Sequence, residues 1–245
     1  MSKWKVTRPS VLVRGKITKA EIYWLDGDQN IHLVPEPEFG WTLTSENGQA
    51  NADGKIECEV EILDRYEHDY LDAVRSMGGR PVAAYGVWVQ DLAHPPKTEL
   101  HPVDALVCRM PDAAALAEAI KDAGKRRQPP KDVRVVWVHR VVAGSDDSWV
   151  DHPPFSDVTR STAVTIPFPP MPDLPAPGGL GWTPRWEPKF KVRAAVDIID
   201  SLAVEPASAT LTLRISAKSY TDGGPGALVM DVATFWTPTG RDEVA

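Results

Sequence analysis

Glu99 and His101 stand two residues apart in Thr98-Glu99-Leu100-His101-Pro102, inside a run of strand-forming residues. On a strand that spacing projects both side chains from one face. Asp91 and His94 lie just upstream, in a predicted hairpin loop that a turn can carry over the same face. His94, Glu99 and His101 together offer two imidazoles and a carboxylate, a donor set for zinc or another divalent metal, with Asp91 as fourth ligand or as the group that orients one. The Asp26-Gly27-Asp28 turn and His32 add polar groups at the same end of the fold, so Asp28, His32 and Asp91 are the candidate ligand-binding residues. Three chemistries are open: a hydrogen-bonded network that satisfies buried polar groups, a metal site, and a ligand or catalytic site without metal. The spacing H-x4-E-x-H does not by itself choose between them, as H-E-x-x-H on a helix would.

The elements that must position these residues follow from hydrophobic period. Residues 10–24 read as one long strand with Gly15 at a bulge or bend. A turn at Asp26-Gly27-Asp28 leads to a second strand over 29–35. In residues 55–63, Ile56, Cys58, Val60 and Ile62 alternate with Glu57, Glu59 and Glu61, which predicts one buried and one acidic face. The period then becomes helical over 66–77, with Tyr70, Leu71, Val74 and Met77 on one stripe and Gly78-Gly79 as the stop. Fourth and fifth strands are predicted over 81–90 and 98–108. Pro102 requires an edge or a bulge in the fifth. The order β-β-β-α-β-β is that of the OB-fold, a small five-stranded barrel.

A short helix over 111–123 and a basic linker, KRRQPPKD, follow. The second half reads as strands: 133–142, apolar on both faces and therefore central, then 158–168, 189–199, 209–217 and 227–236. The last two are expected to form a hairpin across Asp222-Gly223-Gly224-Pro225-Gly226. Several half-buried strands of this length predict an immunoglobulin-like β-sandwich, without a Cys…Trp…Cys signature. The predicted organisation is mainly β: an OB-like five-stranded barrel over 1–110, helix and linker over 111–131, and a β-sandwich over 132–245. Residues 166–177, IPFPPMPDLPAP, are half Pro. They must run extended, either as a stiff crossing or as a ligand for a Pro-recognising module.

The segment Gly86-Val87-Trp88-Val89-Gln90-Asp91-Leu92-Ala93-His94, followed by Glu99-Leu100-His101-Pro102 and preceded by Asp26-Gly27-Asp28 and His32, resembles a pattern in uncharacterised bacterial OB-fold-like proteins. The resemblance covers residues 10–108. It implies that Asp28, His32, Asp91, His94, Glu99 and His101 belong to one site, and it brings no activity with it. Pro95-Pro96-Lys97 replaces the aromatic that usually follows the loop histidine.

Composition narrows the function classes. A net charge of −7 disfavours nucleic acid as partner, since phosphate neutralisation supplies most of that affinity. The opening MSKWKVTRPS has no apolar stretch of a secretion signal, and no run approaches the length of a membrane span. A cytoplasmic protein is therefore expected, with Cys58 and Cys108 reduced and buried. Asp146, Asp147, Asp151, His152 and Asp157 around Trp149 lack the spacing of a calcium loop. Trp4, Trp24, Trp41 and Trp88 could stack bases, although in small barrels aromatics more often form core. No G-x-S-x-G elbow, phosphate-binding loop or C-x-x-C is present.

The expected function is a non-enzymatic binding or assembly module, with a protein partner or small ligand and a ligand site at the barrel mouth. The alternatives are a metal-dependent hydrolase using His94, Glu99 and His101, and single-stranded nucleic-acid binding by the barrel.

Overall fold

The computed structural model describes residues 4–22, 29–48, 54–60, 64–92, 97–110, 136–144, 160–173, 176–179, 181–193, 199–205, 208–217 and 227–239. The strands are β1 (Trp4–Ile22), β2 (Gln29–Pro35), β3 (Ile56–Val60), β4 (Pro81–Asp91), β5 (Thr98–Arg109), β6 (Val136–Gly144), β7 (Arg160–Pro167), β8 (Trp182–Arg193), β9 (Ile199–Glu205), β10 (Thr210–Ala217) and β11 (Ala227–Pro238). Among the described residues one α-helix, α1 (Asp64–Arg75), lies between β3 and β4. Among the described residues no helix is long and apolar enough to cross a membrane.

Eight strands form one sheet in the order β3-β2-β1-β4-β5-β6-β11-β8, and β3 also pairs with β5. That extra pairing closes β1, β2, β3, β5 and β4 into a ring of hydrogen-bonded strands. The pairings are antiparallel except β3–β5, which is parallel and joins only Glu57 to Glu99 and Cys58 to Leu100. A second sheet has the order β7-β10-β9.

Long β1 serves two neighbours. It pairs with β4 over Trp4–Lys16 and with β2 over Gly15–Ile22, so Gly15 is where it passes from one to the other. A Cβ at Gly15 would lie 2.4 Å from the Val34 carbonyl oxygen, so the close approach admits only glycine. The register shift in this part of β1 falls between Ile17 and Lys19, just beyond Gly15. Pro102 is accommodated as its chemistry requires. It lies within a register shift between β4 and β5, between the Trp88–Leu100 and Gly86–Val103 pairs, and Gly86 makes room opposite, where a Cβ would meet the Pro102 carbonyl oxygen at 2.6 Å. The His101–Pro102 peptide is cis.

The sheet separates two cores. Ile31, Leu33, Ile56, Cys58, Val60, Leu100 and Leu106 fill the ring's interior together with Tyr70 and Val74 of α1 and Met77 just past it. Tyr70, Leu71, Val74 and Met77, the predicted helical stripe, are fully buried. Gly79, at φ +72°, ends the helical region and donates its N–H to the Ile17 carbonyl. On the opposite face Ala105, Val107, Val141, Leu228 and Met230 pack against Val164, Ile166, Leu211, Leu213 and Ile215 of the second sheet. The period-2 alternation of β5 thus feeds both cores: Leu106 and Cys108 face one, Ala105 and Val107 the other. Cys58 and Cys108 are free and buried, as expected. The helix and linker over 111–131 lie outside the described residues. β5 and β6 on either side of them pair directly, so the large sheet runs from the first half of the chain into the second.

Two predictions from period fail. The strand read over 189–199 is the end of β8 and the start of β9, which belong to different sheets. The hairpin expected between 209–217 and 227–236 does not form: β10 pairs with β7 and β9, while β11 pairs with β6 and β8. Alternation reports which face of a strand is buried and cannot report which sheet buries it. β8 is an end strand of the large sheet, and Pro184, Pro188, Lys189 and Lys191 suit it to that place. The Pro-rich run crosses from β7 to β8. It is tied down by the Trp236 indole N–H to the Pro169 carbonyl at 2.7 Å and by burial of Phe168.

A buried ion pair locks β6 to β11. Arg140 donates to both Asp231 oxygens at 2.8 and 2.9 Å and to Ser76 Oγ, just past α1, at 2.6 Å, while Lys191 adds a contact to Asp231 at 3.0 Å. Burial pushes the Asp231 carboxyl up, but the hydrogen bonds and charges of Arg140 and Lys191 outweigh it and hold the group below its ordinary value. Asp231→Ala strands a buried guanidinium and is expected to cost about 3–5 kcal/mol in urea unfolding. Asp231→Leu combined with Arg140→Met should recover most of that loss. Because the folded carboxyl titrates low, its contribution is fully present above the unfolded value of about 4 and is lost as pH falls below it. An acid titration of unfolding free energy, wild type against the double variant, checks this.

Candidate metal centre

The β3–β5 seam gathers a cluster of ionisable side chains. Ile56, Cys58 and Val60 turn into the ring core, so Glu57 and Glu59 must turn out. Leu100 likewise points inward, and Glu99 and His101 point out. Parallel pairing of Glu57 with Glu99 sets these side chains next to one another along the seam.

Glu59, Glu99 and His101 present one ligand atom each, all within 4.8 Å of one another. His101 Nδ1 lies 2.7 Å from Glu59 Oε2. Glu99 Oε1 is 2.9 Å from Lys97 Nζ, whereas Glu99 Oε2 is buried with no hydrogen-bond partner among the described residues. Lys97 also contacts Glu57, and Glu57 faces His32 Nε2 at 3.5 Å. Residue exposure is 1% for both Glu99 and His101, while the Glu59 side chain keeps 13% of its exposure. Trp4, the first residue of β1, stacks on the His101 ring at 4.6 Å between centroids and 28° between planes.

Burial dominates the electrostatics. It raises the Glu99 carboxyl well above the ordinary range, helped by the Glu59 charge and opposed by Lys97 and His101. Burial also pushes Glu57 up, but hydrogen bonds and charges from His32 and Lys97 overcome it and hold Glu57 at about 2. Burial disfavours the charged Lys97, yet Glu99 and Glu57 together raise its value. The Cys58 thiol is pushed up by burial and by the Glu57, Glu59 and Glu99 charges, so it stays protonated and faces the core. Two carboxylates and an imidazole converging in a largely buried site could hold a divalent metal. Without one, the same groups share protons and tie β3 to β5.

The candidates from sequence are distributed as follows. Glu99 and His101 converge, with Glu59 as the third donor. Asp28 and His94 lie outside the described residues. Among the described residues His32 reaches the cluster through Glu57. Asp91 is buried at the end of β4, where its N–H donates to the Lys97 carbonyl at 2.9 Å. Its carboxylate is not among the three convergent donors. Sequence reasoning passed over Glu59, Glu57 and Lys97. The acidic face of 55–63 was visible, but only the parallel pairing of β3 with β5 turns it toward Glu99. Trp88 packs on the ring core and donates to the Thr42 carbonyl at 3.1 Å. Trp41 is exposed, with the Arg8 guanidinium 4.4 Å from its ring centroid.

Asn47 fixes the start of β5. Its amide donates to the Lys55 and Thr98 carbonyls at 3.1 and 2.9 Å. Its oxygen lies 2.9 Å from the Thr44 N–H and 3.1 Å from the Thr98 N–H. The side chain is 1% exposed, so these backbone groups have no water to fall back on. Asn47→Ala is expected to cost at least about 2 kcal/mol in urea unfolding, since each stranded buried group costs roughly 1–3 kcal/mol. Asn47→Asp should be nearly as damaging, because it keeps the acceptor and loses both donors.

Compared with protein families, curated proteins and solved structures, the chain has no match.

Proposed function

We propose that this chain is a non-enzymatic binding or assembly module. In this reading the five-strand ring is an OB-like barrel, the two facing sheets form an immunoglobulin-like sandwich, and Glu59, Glu99 and His101 take a divalent transition metal, zinc foremost, as a structural pin. One observation carries it: the three donors come from the two strands that close the ring, and Glu99 and His101 are each 1% exposed. A metal there ties the seam, with two of its three donors buried. Imidazole with carboxylate suits Zn2+, with Mn2+ or Fe2+ as competitors. The hydrolase alternative needs an open coordination position that a substrate can reach, and burial argues against it. Single-stranded nucleic-acid binding draws support from exposed Trp41 beside Arg8, against a net charge of −7.

Metal analysis of the full-length, untagged chain, stripped with a chelator and reloaded with Zn2+, tests the pin. Close to one zinc per chain is expected, lost in Glu99→Gln and in His101→Ala. Loading at 100 times Kd should stabilise the wild type by about 2.7 kcal/mol. No zinc above background in the wild type, with His101→Ala merely less stable, would leave the cluster as a hydrogen-bonded network and end the proposal.

A further inference from the structure

Glu99 is too deeply buried to carry an uncompensated charge. The ammonium of Lys97 meets that need from one side, 2.9 Å from Oε1. The other oxygen, Oε2, has no partner among the described residues and belongs to the convergent donor group. A cation bound through Oε2 would share the same small carboxylate with the ammonium, and two cations on one carboxylate repel strongly in a dry site. The surroundings give Lys97 somewhere to go. Its side chain is 26% exposed, against 2% for Glu99, and it already touches Glu57, whose side chain is 17% exposed.

Building on the metal reading above, we propose that Lys97 is a built-in competitor for the metal at this centre. In the metal-free protein its ammonium bridges Glu99 and Glu57. When the ion binds, Lys97 gives up Glu99, keeps Glu57 and moves toward solvent. Metal uptake is then an exchange of one cation for another. Glu99 has a cationic partner in both states, and the lysine sets how much free metal is needed to load the site.

The test is Zn2+ affinity by competition with a chromophoric chelator, run on the full-length wild type and on Lys97→Met, which keeps most of the aliphatic stem without the charge. Lys97→Gln serves as a second uncharged variant in case Lys97→Met folds poorly, and Lys97→Arg as the charge-retaining control. The expected result is at least tenfold tighter zinc binding in the uncharged variants, wild-type affinity within about threefold in Lys97→Arg, and a lower melting temperature of the metal-free uncharged variants. Zinc binding by the wild type with equal or weaker binding by the uncharged variants would overturn the inference, because Lys97 would then be orienting Glu99 for the metal, while the metal reading would stand. Absence of zinc binding in every form would overturn both.

Discussion

The ring depends on its weakest joint. Four of its five pairings are antiparallel, and those of β1 with β2 and β4 and of β4 with β5 are long. The fifth, β3 with β5, is parallel and spans two residue pairs. So little backbone pairing cannot close a sheet alone, and the side chains along the seam complete it. His101 reaches Glu59, and Lys97 reaches Glu57. Asn47 holds the chain before β3 to the first residue of β5. Polar groups are costly to bury singly. Assembled along the seam they specify one register, because a slip of one residue would turn Glu57 and Glu59 into the apolar core.

The same strand that closes the ring begins the second layer. β5 is paired on both sides, and its alternating side chains supply both cores. The buried Arg140–Asp231 pair and its contact to Ser76 then join β6 and β11 to the end of α1. A disturbance at the seam therefore has a short path to the facing sheets: along β5 to β6 through backbone hydrogen bonds, and across to β7 and β10 through Ala105 and Val107. A pin at the seam would stiffen the element on which both layers hang, which is what a binding module needs if its surface is to be pre-organised.

Much of this was legible in the sequence. The order of elements in the first half, the bounds of β2 at 29–35, the stripe of Tyr70, Leu71, Val74 and Met77, and the need for an edge or a bulge at Pro102 all follow from local rules of period and backbone chemistry. The shared face of Glu99 and His101 was legible for the same reason. Glu59 and Lys97 were not, because their roles depend on a contact between residues about 40 apart in the chain. The assignment of β8 through β11 to two sheets was hidden likewise, since alternation is the same whichever layer covers a strand. The role of Asn47 was hidden too, because it depends on the loop folding back onto Thr98.

The measurement that bears most directly on this account is amide hydrogen exchange of β3, Ile56–Val60, in the wild type and in Glu59→Gln with His101→Phe. The account predicts that removing the side-chain bridge lowers β3 protection at least tenfold relative to β8 and β11, which pair with no strand of the ring. Unchanged β3 protection, or a loss spread evenly over the whole sheet, would contradict the claim that these side chains close the ring.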